Sequence, residues 1–406
     1  MESDGCWTTV WLEKHKQQSF VKVHRTEFLQ CWYNVTTMSQ FEIKGQYNTA
    51  VVFARDREEK AIEQIRTLVS QPFVAGKKVR IMPDYHFGAG CTIGFTADLG
   101  DIVVPNLVGV DIGCGILVTE LGYDQADLAA LDNYIHHNIP SGFGSYKKPV
   151  VEFDEINKLK SAHAVPVKKA QTQIGTLGGG NHFIEIAVDE RGMHFLCVHS
   201  GSRHIGLQVA LYWQGIARDY CKKNGIDVPR DLAYLEGQNR KNYLHDMDIC
   251  QRYASLNRKV MTERILGHLG LPPRGQFESV HNYVNLKDNI IRKGAVSARK
   301  GERIIIPINM RDGSIIAVGK GNPDWNFSAP HGAGRLLGRN EARRQLNLQD
   351  FKRTMRNVFT TTVNRDTLDE APDAYKSMDD IIEQIGDTAD IERIIRPVYN
   401  FKAGKE

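Results

Sequence analysis

Apolar residues recur at helical spacing in five segments of the chain. The clearest segment covers residues 56–70, where the repeating side chains are Ala61, Ile62, Ile65, Leu68 and Val69. A repeat every three or four residues places these side chains on one face of an amphipathic helix. The same pattern predicts helices over 125–136 (capped by Asp124), 207–224 (ended by Gly225), 243–266 and 377–385.

Shorter apolar runs between these segments predict β-strands. A strand begins at 41–43, and further strands are predicted at 78–82, 101–105, 116–120, 182–188, 194–199, 303–308 and 315–318. Helices and strands are mixed without a regular β-α-β alternation, which indicates an α+β fold. Because no internal repeat, low-complexity stretch or Pro/Gly linker interrupts the pattern, we expect a single large mixed domain of β-sheets with surrounding helices.

The first 37 residues differ from the rest. They contain three of the five tryptophans, Trp7, Trp11 and Trp32, without clear periodicity. The pattern changes at Met38, so residues 1–37 are interpreted either as an extension upstream of a natural start at Met38 or as an extra docked segment. The main domain is expected over 38–406.

Composition narrows the class of protein. Hydrophobic residues make up 41% and charged residues 25% of the chain, as in soluble globular proteins. No apolar run approaches the roughly 20 residues of a membrane span, and the N-terminus lacks a signal-peptide core, so we expect a cytoplasmic protein without membrane partners. The net charge of +4 weakly favours binding to polyanions. The seven cysteines form no C-x-x-C pair, which indicates reduced thiols.

Candidate chemistry is concentrated in five glycine-rich or polar clusters, at 84–90, 108–115, 175–182, 199–203 and 331–335. None of them contains a Walker A sequence, and none is a complete G-x-G-x-x-G after a strand. A lysine-nucleophile ligase motif, K-x-D-G, is also absent, because the nearest stretch, 309–313, has no lysine at the nucleophile position. Familiar nucleotide-binding loops are therefore excluded.

One group of residues has the types needed for a metal centre. Asp111 and Cys114 lie three residues apart between glycines, although alone they are more typical of a turn aspartate and a buried cysteine. His182 and His199 bound two predicted strands, and they would lie close together if those strands form a hairpin. With His281 the set suffices for two ions if the thiolate bridges them. Thiolate and imidazole suit zinc, while the carboxylate tolerates manganese or iron, so the metal stays open.

The segment His331-Gly-Ala-Gly-Arg335 has the features of a phosphate-handling loop. Glycine backbone N–H groups can approach phosphate oxygens closely, and Arg335 can bind a phosphate bidentately. An imidazole can act as a nucleophile at phosphorus. The alternative is a glycine turn with an ordinary histidine. The basic stretch 292–300 suits either a phosphate path or a solvated loop.

Together these stretches resemble the RtcB family of RNA ligases over about residues 41–402. The matching motifs occur in the family's order: 84–88, 110–115, 180–185, 199–203, 292–298 and 331–335, with 253–258 as a further match. Two positions depart from the family pattern. Ala89 stands between glycines where many relatives have lysine, and Gly338 stands where relatives tend to have serine.

The resemblance implies two Mn²⁺ ions bridged by Cys114, one of them also bound by Asp111 and His182 and the other by His199 and His281. It implies that His331 attacks the α-phosphorus of GTP and becomes guanylated. The residues implied for the guanine pocket are Glu185, Tyr375 and Lys402. Those implied for phosphate are Asn181, Arg203, Lys293 and Arg335, and the loop residues Gly332, Ala333 and Gly334 would contact the nucleotide.

The implied reaction joins an RNA end bearing a 2′,3′-cyclic phosphate or 3′-phosphate to a 5′-hydroxyl end, in tRNA splicing or RNA repair. A first alternative is a metal-dependent cyclic phosphoesterase that needs no GTP and does not ligate. A second is a non-catalytic RNA-binding subunit, which would require a broken site, whereas every expected site residue is present. A third is a relative specialised for damaged tRNA or rRNA.

Overall fold

A computed structural model of the chain describes residues 7–14, 17–24, 40–124 and 126–404. The chain divides into two compact units, Met1–Gln40 and Phe41–Glu406. In the first unit, strand β1 (Trp7–Lys14) pairs antiparallel with β2 (Gln17–His24), two strands that the sequence pattern did not predict. Trp32 and the proposed start at Met38 lie outside the described residues.

The second unit contains the remaining strands and all the described α-helices. Its strands are β3 (Phe41–Lys44), β4 (Thr49–Val52), β5 (Val79–His86), β6 (Ile93–Asp98), β7 (Gly115–Gly122), β8 (Phe183–Val188), β9 (His194–Ser200), β10 (Gly275–Val280), β11 (Asn282–Asn285), β12 (Ile290–Lys293), β13 (Ala295–Ser297), β14 (Arg303–Asn309), β15 (Gly313–Gly319), β16 (Ser328–Pro330) and β17 (Ala389–Lys402). Its α-helices are α1 (Glu59–Val69), α2 (Leu128–Asn138), α3 (Val167–Gln173), α4 (Arg203–Lys223), α5 (Gly237–Leu269), α6 (Arg339–Gln345), α7 (Leu348–Thr354) and α8 (Met378–Ile385).

The larger sheet has seven antiparallel strands in the order β10-β7-β9-β8-β17-β15-β14. Its central strands are buried on both faces, because alternate side chains enter two different cores. Ile184 and Ile186 of β8 join Met261 and Ile265 of α5 on one face. On the other face Phe183 packs with side chains of β14 and β15. Two-sided burial explains why β8 is apolar almost throughout.

The smaller sheet has six strands in the order β11-β12-β6-β5-β4-β3. Strands β4 and β5 pair in parallel and are connected through α1, which packs its apolar face on the same core. This βαβ unit was not expected from the sequence, since only one of its strands had a clear pattern. The remaining pairs of this sheet are antiparallel. The α+β assignment itself is confirmed, with β13 and β16 forming a further short pair.

Two predicted elements were wrong in detail. Residues 101–105 form no strand: Val103 makes a single bridge to Leu235, and the chain then enters a 3₁₀ helix at Pro105. Helix α2 begins at Leu128 and not at Gln125, which lies outside the described residues. Its cap is Asp127, whose side chain accepts the N–H of Ala130.

The long helices extend beyond their predicted bounds. Helix α4 begins four residues earlier than expected, and α5 runs for 33 residues until Gly270 ends it with a left-handed backbone, φ 67°. None of the helices in the described ranges is long and apolar enough to cross a membrane. The cysteines in those ranges are free and buried, whereas Cys6 and Cys31 lie outside them.

Candidate active site

Four neighbouring strand ends bring the predicted metal ligands together. In the larger sheet, Gly115 of β7 pairs with Ser200 of β9 and with Val280 of β10, and His199 pairs with Phe183 of β8. Cys114, His182 and His281 each adjoin one of these paired residues in sequence. The hairpin proposed from the sequence is therefore present, and one sheet edge collects the ligands.

Cys114 lies at the centre of this group. Its Sγ atom is 3.4 Å from Nε2 of His182 and 3.3 Å from Nε2 of His199. The donor atoms form two overlapping sets, Asp111–Cys114–His182 and Cys114–His199–His281, and within each set they lie within 4.8 Å of one another. Because Cys114 belongs to both sets, one thiolate could contact two ions.

Hydrogen bonds orient two of the histidines for metal binding. The carbonyl oxygen of Leu177 lies 3.0 Å from Nδ1 of His182, and that of Asn181 lies 3.2 Å from Nδ1 of His199. A carbonyl oxygen can only accept, so each Nδ1 holds the proton and each Nε2 keeps its lone pair. Both Nε2 atoms point toward Cys114, which is the arrangement that metal-bound histidines require.

The electrostatic environment favours a cation at this position. Burial, followed by the adjacent Asp111 carboxylate, raises the pKa of the Cys114 thiol well above its usual range. Burial also acts to raise the pKa of Asp111, but the hydrogen bond and charge of His182 outweigh it and lower that pKa to about 2. Burial lowers the pKa values of His199 and His281, so both imidazoles are neutral. The donor set therefore fits divalent cations that replace the thiol proton.

The backbone around the ligands leaves room for Asp111 only because residue 201 is glycine. A Cβ atom at Gly201 would lie 2.1 Å from Oδ1 of Asp111. Helix α5 supports the same region through Arg258, which is fully buried. Its guanidinium donates to the carbonyl oxygens of Gly113 (2.7 Å) and Ser200 (2.6 Å). The loop containing Asp111 and the end of β9 are thus fastened to one helix.

His331 lies beside the metal-ligand cluster, with its ring 4.9 Å from that of His281. Its Nδ1 atom is 2.6 Å from Oδ2 of Asp84, a carboxylate that is completely buried in β5. Since a carboxylate accepts, Nδ1 donates and Nε2 retains its lone pair. Gly334 allows this approach, because a Cβ atom there would lie 2.5 Å from the Asp84 carbonyl oxygen and its φ is +79°.

A cavity of about 290 Å³ extends from the cluster past His331. It brings together most of the residues expected to bind the nucleotide, namely Asn181, Glu185, Gly332, Ala333, Gly334, Arg335, Tyr375 and Lys402. Asp111, Cys114, His199 and His281 also line it. One cavity is therefore lined by the candidate nucleophile and by four of the five candidate metal ligands, whereas His182 does not line it.

Glu185 has an unusual position in this cavity. Its Oε2 atom accepts a hydrogen bond from Asn400 at 2.7 Å, while its buried Oε1 atom has no partner among the described residues. Burial raises the pKa of Glu185 to about 7, although Asn400 and Lys402 act to lower it. A buried carboxylate oxygen without a donor costs free energy, so the cavity suits a ligand that supplies N–H groups.

A buried acid, Glu370, connects three expected nucleotide-binding residues. Its carboxylate lies 3.3 Å from Arg335, 2.6 Å from the Tyr375 hydroxyl and 2.8 Å from Nζ of Lys402. Burial acts to raise the pKa of Glu370, but Lys402, Arg339 and Arg335 lower it to about 2. Sequence reasoning missed Glu370, because nothing in the spacing along the chain relates it to the residues that it contacts.

Two residues expected to bind phosphate do not line the cavity in the described structure. The ammonium group of Lys293 donates to three backbone carbonyls, those of Ala89, Cys91 and Asn106, at 2.7–3.0 Å. Arg203 is buried at the start of α4 and donates to Thr176 and to the Gly142 carbonyl. The side chains of Lys293 and Arg203 thus form hydrogen bonds within the protein. Arg292, the first residue of the basic stretch 292–300, does the same.

His86 and Arg339 line the cavity although neither was singled out from the sequence. His86 belongs to the 84–90 cluster, and its Nδ1 lies 3.1 Å from the Asp84 carbonyl oxygen. Burial lowers the pKa of His86 to about 4, so it is neutral. Arg339 contacts Asp369 and Glu370. The spacing along the chain gave no signal for Arg339, because Arg335 forms a β-bridge to Tyr375 and helix α6 begins only at Arg339.

Comparison with known proteins gives a consistent match. The family model described as tRNA-splicing ligase RtcB matches residues 64–166 and 152–403. The chain is 32% identical over 387 residues to the RNA-splicing ligase RtcB of Escherichia coli K12, covering 85% of this chain and 94% of the relative. It is 27% identical over 441 residues to the tRNA-splicing ligase RtcB of Nanoarchaeum equitans, covering 84% and 92%. The RNA-splicing ligase RtcB of Mycobacterium tuberculosis is 27% identical over 393 residues, covering 74% and 91%. The match spans the cavity and every predicted metal ligand, and the chain belongs to the RtcB family.

Proposed function

We propose that this protein is an RNA ligase that joins a 2′,3′-cyclic phosphate or 3′-phosphate end to a 5′-hydroxyl end, using GTP and a guanylated histidine. The observation that supports the proposal most directly is the position of His331. Asp84 holds its Nδ1, its Nε2 makes no hydrogen bond to the described residues, and His331 lines the same cavity as the metal-ligand cluster. The named relatives are RNA-splicing and tRNA-splicing ligases, which supports RNA as the substrate.

In the proposed first step, His331 attacks GTP. The Nε2 lone pair forms a bond to the α-phosphorus, and the bond from that phosphorus to the bridging oxygen breaks, so pyrophosphate leaves. Asp84 stabilises the positive charge that develops on the imidazole, because its carboxylate already accepts Nδ1–H at 2.6 Å. The product is a phosphoramidate between His331 and GMP.

GTP is proposed because the far end of the cavity suits guanine. The unpartnered Oε1 of Glu185 can accept a guanine N–H, with Lys402 and Tyr375 nearby on the same wall. Adenine presents an acceptor at the corresponding ring nitrogen, so it would leave Glu185 without a donor. The charge of Glu185 is therefore the proposed source of nucleotide specificity.

The GMP group then moves to the RNA. A 3′-phosphate oxygen attacks the phosphorus on His331, the P–N bond breaks, and the imidazole recovers its lone pair. The 5′-hydroxyl of the second RNA attacks the RNA phosphorus, and GMP leaves. A cyclic phosphate is first opened by water to a 3′-phosphate.

Two Mn²⁺ ions are proposed at the cluster, one bound by Asp111, Cys114 and His182 and the other by Cys114, His199 and His281. When bound, they would neutralise phosphate charge and lower the pKa of a coordinated hydroxyl or water. The residues of the chain then have to hold the reacting groups in line beside this charge.

Phosphate contact is proposed for Asn181 and Arg335, which line the cavity. The backbone N–H groups of Ala333 and Gly334 are proposed to contact phosphate beside them, whereas that of Gly332 donates to Asp84. For Lys293 and Arg203 we propose a supporting role. Lys293 donates to the carbonyls of Ala89 and Cys91 and so holds the 84–92 segment, and its third partner is the Asn106 carbonyl. Arg203 donates to Thr176 in the loop that precedes Asn181.

The proposal is tested by covalent labelling. Protein loaded with Mn²⁺ is incubated with GTP labelled at the α-phosphate, denatured, and assayed for acid-labile label, beside the variants His331→Ala and His137→Ala. His137 is an exposed histidine of α2 whose ring contacts only Asn133 among the described residues, which makes it a matched control. We expect label on wild type and His137→Ala but none on His331→Ala. Unlabelled wild type that still opens a cyclic phosphate would favour the phosphoesterase.

A further inference from the structure

Positive charge is concentrated in one short segment that begins at the cavity. Residues 339–356 contain six basic and two acidic residues, a net charge of +4. The whole chain of 406 residues has the same net charge, +4. The rest of the molecule is therefore neutral on balance. The basic stretch 292–300 also carries a net charge of +4, but Arg292 and Lys293 are buried and Arg299 pairs with Asp288.

Half of these basic side chains form ion pairs with acidic residues. Arg339 and Arg343 form ion pairs with Asp369, and Arg353 pairs with Asp350. The other three, Arg344, Lys352 and Arg356, are exposed and form no ion pair within residues 40–124 and 126–404. We call these three residues the basic ridge. Their charges are available to an external partner.

The inner side of the same segment is part of the cavity wall. Phe351 and Met355 of the α7 region pack in one apolar cluster with Met310, which lines the cavity. Helix α6 begins at Arg339, itself a cavity residue. The apolar side of the segment thus packs with one residue of the cavity lining, Met310, and the segment begins at another, Arg339.

The ridge residues lie at and just beyond the end of α7. Phe351 and Met355 are four residues apart and buried, while Lys352 and Arg356 are four residues apart and exposed. Helix α7 ends at Thr354, and Arg356 lies in the turn that follows, where its backbone N–H donates to the Arg353 carbonyl. The two cations are therefore both on the outer side of the segment, with Arg344 of α6 preceding them in the chain.

We propose that the basic ridge binds the phosphodiester backbone of the RNA strand whose end lies in the cavity. Unpaired cations beside the site suit a polyanion that must be held without regard to sequence. The ridge would add affinity several nucleotides from the reacting end. This inference rests on the proposed RNA ligation and adds the path of the strand outside the cavity.

The test compares two double variants that remove the same charge. Lys352→Gln/Arg356→Gln alters the ridge. Lys222→Gln/Lys223→Gln alters two exposed lysines at the end of α4, about 30 Å along that helix from its first turn beside Asp111. Glutamine keeps a high helix propensity, so folding is not challenged. Binding of a single-stranded RNA oligonucleotide with a 3′-phosphate is measured at several salt concentrations.

We expect the ridge variant to bind this RNA about tenfold more weakly and the slope of log K against log salt to fall by about 1.4, or about 0.7 for each phosphate that is no longer neutralised. The α4 variant should match wild type in both. Equal losses of RNA affinity in the two variants would show that only the net charge matters, and this result would overturn the proposal. No loss in the ridge variant would also overturn it and leave the ridge to a protein partner.

Guanylation of the protein by labelled GTP needs no RNA, and it separates this inference from the proposed function. A ridge variant that is labelled by GTP and binds RNA more weakly supports both the proposed function and the ridge. Labelled protein with unchanged RNA binding overturns the ridge alone. Absence of label on wild type overturns the proposed function, whatever the RNA measurements give.

Discussion

A single oxygen atom of Asp84 accepts three hydrogen bonds from the loop that begins at His331. Oδ2 lies 2.6 Å from Nδ1 of His331, 3.1 Å from the backbone nitrogen of His331 and 3.2 Å from that of Gly332. The other oxygen, Oδ1, is buried without a partner among the described residues. The carboxylate therefore fixes both the loop and the imidazole tautomer, and its charge is concentrated where His331 would become positive.

Replacing this carboxylate should slow guanylation severely. In Asp84→Asn the side chain is neutral and can present an N–H to Nδ1, which would favour the wrong tautomer. We expect the rate of label transfer from GTP to fall about 10²- to 10⁴-fold, with the manganese content unchanged. The rate is measured in a single turnover with α-labelled GTP.

Asp132→Asn provides the matched control for that measurement. Asp132 is also buried, but its partners are Thr361 and Tyr399, which lie outside the catalytic cavity lining. Its substitution should affect stability and leave the labelling rate close to wild type. A wild-type labelling rate in Asp84→Asn would show that Asp84 does not set the tautomer.

Loss of the Cys114 thiolate should remove both metal ions together. Sγ of Cys114 belongs to both donor sets, whereas His281 belongs to only one. We expect Cys114→Ala to retain neither ion after desalting, and His281→Ala to retain the ion at Asp111, Cys114 and His182. Manganese per protein is measured by atomic emission.

A buried cysteine elsewhere controls for simple loss of volume. Cys250 is fully buried in α5, and Cys250→Ala should keep both ions. Two manganese ions per molecule in Cys114→Ala would exclude a bridging thiolate. Loss of both ions in His281→Ala would instead indicate that the two sites fill only together.

Binding of GTP should weaken as the pH falls through neutrality. Burial raises the pKa of Glu185 to about 7, and its ionised form accepts guanine N–H groups more strongly, because protonation turns one carboxyl oxygen into a donor. Below that pKa the carboxyl group is protonated, so affinity should approach a tenfold fall for each further pH unit. Above it, affinity should level off. The measurement is calorimetric titration with a GTP analogue that resists cleavage at the α-phosphorus.

Glu185→Gln should bind the analogue weakly and lose this pH dependence, because an amide does not titrate. A wild-type affinity that stays constant from about pH 8 to pH 6 would mean that Glu185 is not the guanine acceptor.

The clustering of two candidate metal ligands could be anticipated because they lie at ends of strands with clear patterns. His182 and His199 bound β8 and β9, and a hairpin register is enough to bring them together. The strand ending at Lys402 had no such pattern: β17 has 14 residues with irregular burial and register shifts. Its place beside β8 follows from tertiary pairing, which one sequence does not reveal.

The contacts of single residues could not be predicted from the sequence for the same reason. Phosphate contact by Lys293 was expected from the family resemblance, and its neighbours in the structure are three carbonyls contributed by two distant loops. Glu370 was missed because its partners Arg335, Tyr375 and Lys402 come from different elements. Residue type and spacing identify donors and acceptors, whereas their pairing depends on the packed fold.

Glu370 should be important for stability as well as for the cavity. Its side chain is 2% exposed and faces Arg335, Arg339 and Lys402. Removing one member of a buried ionic group leaves the others unpaired, so we expect Glu370→Gln to lower the free energy of unfolding at pH 7 by about 3 kcal/mol. Glu341→Gln, an exposed acid of α6, should change it by less than about 0.5 kcal/mol.

The pH dependence of that difference has a defined sign. The pKa of Glu370 is lowered to about 2 in the folded protein, compared with about 4.3 for a free glutamate. Its contribution is therefore complete above the unfolded value and is lost as the pH falls toward 2. Urea unfolding at a series of pH values should show wild type and Glu370→Gln differing at neutral pH and converging in acid. A difference that persists unchanged at the lowest pH would assign the loss to altered packing, whereas partial recovery in Glu370→Gln/Lys402→Met would confirm that an unpaired buried cation causes it.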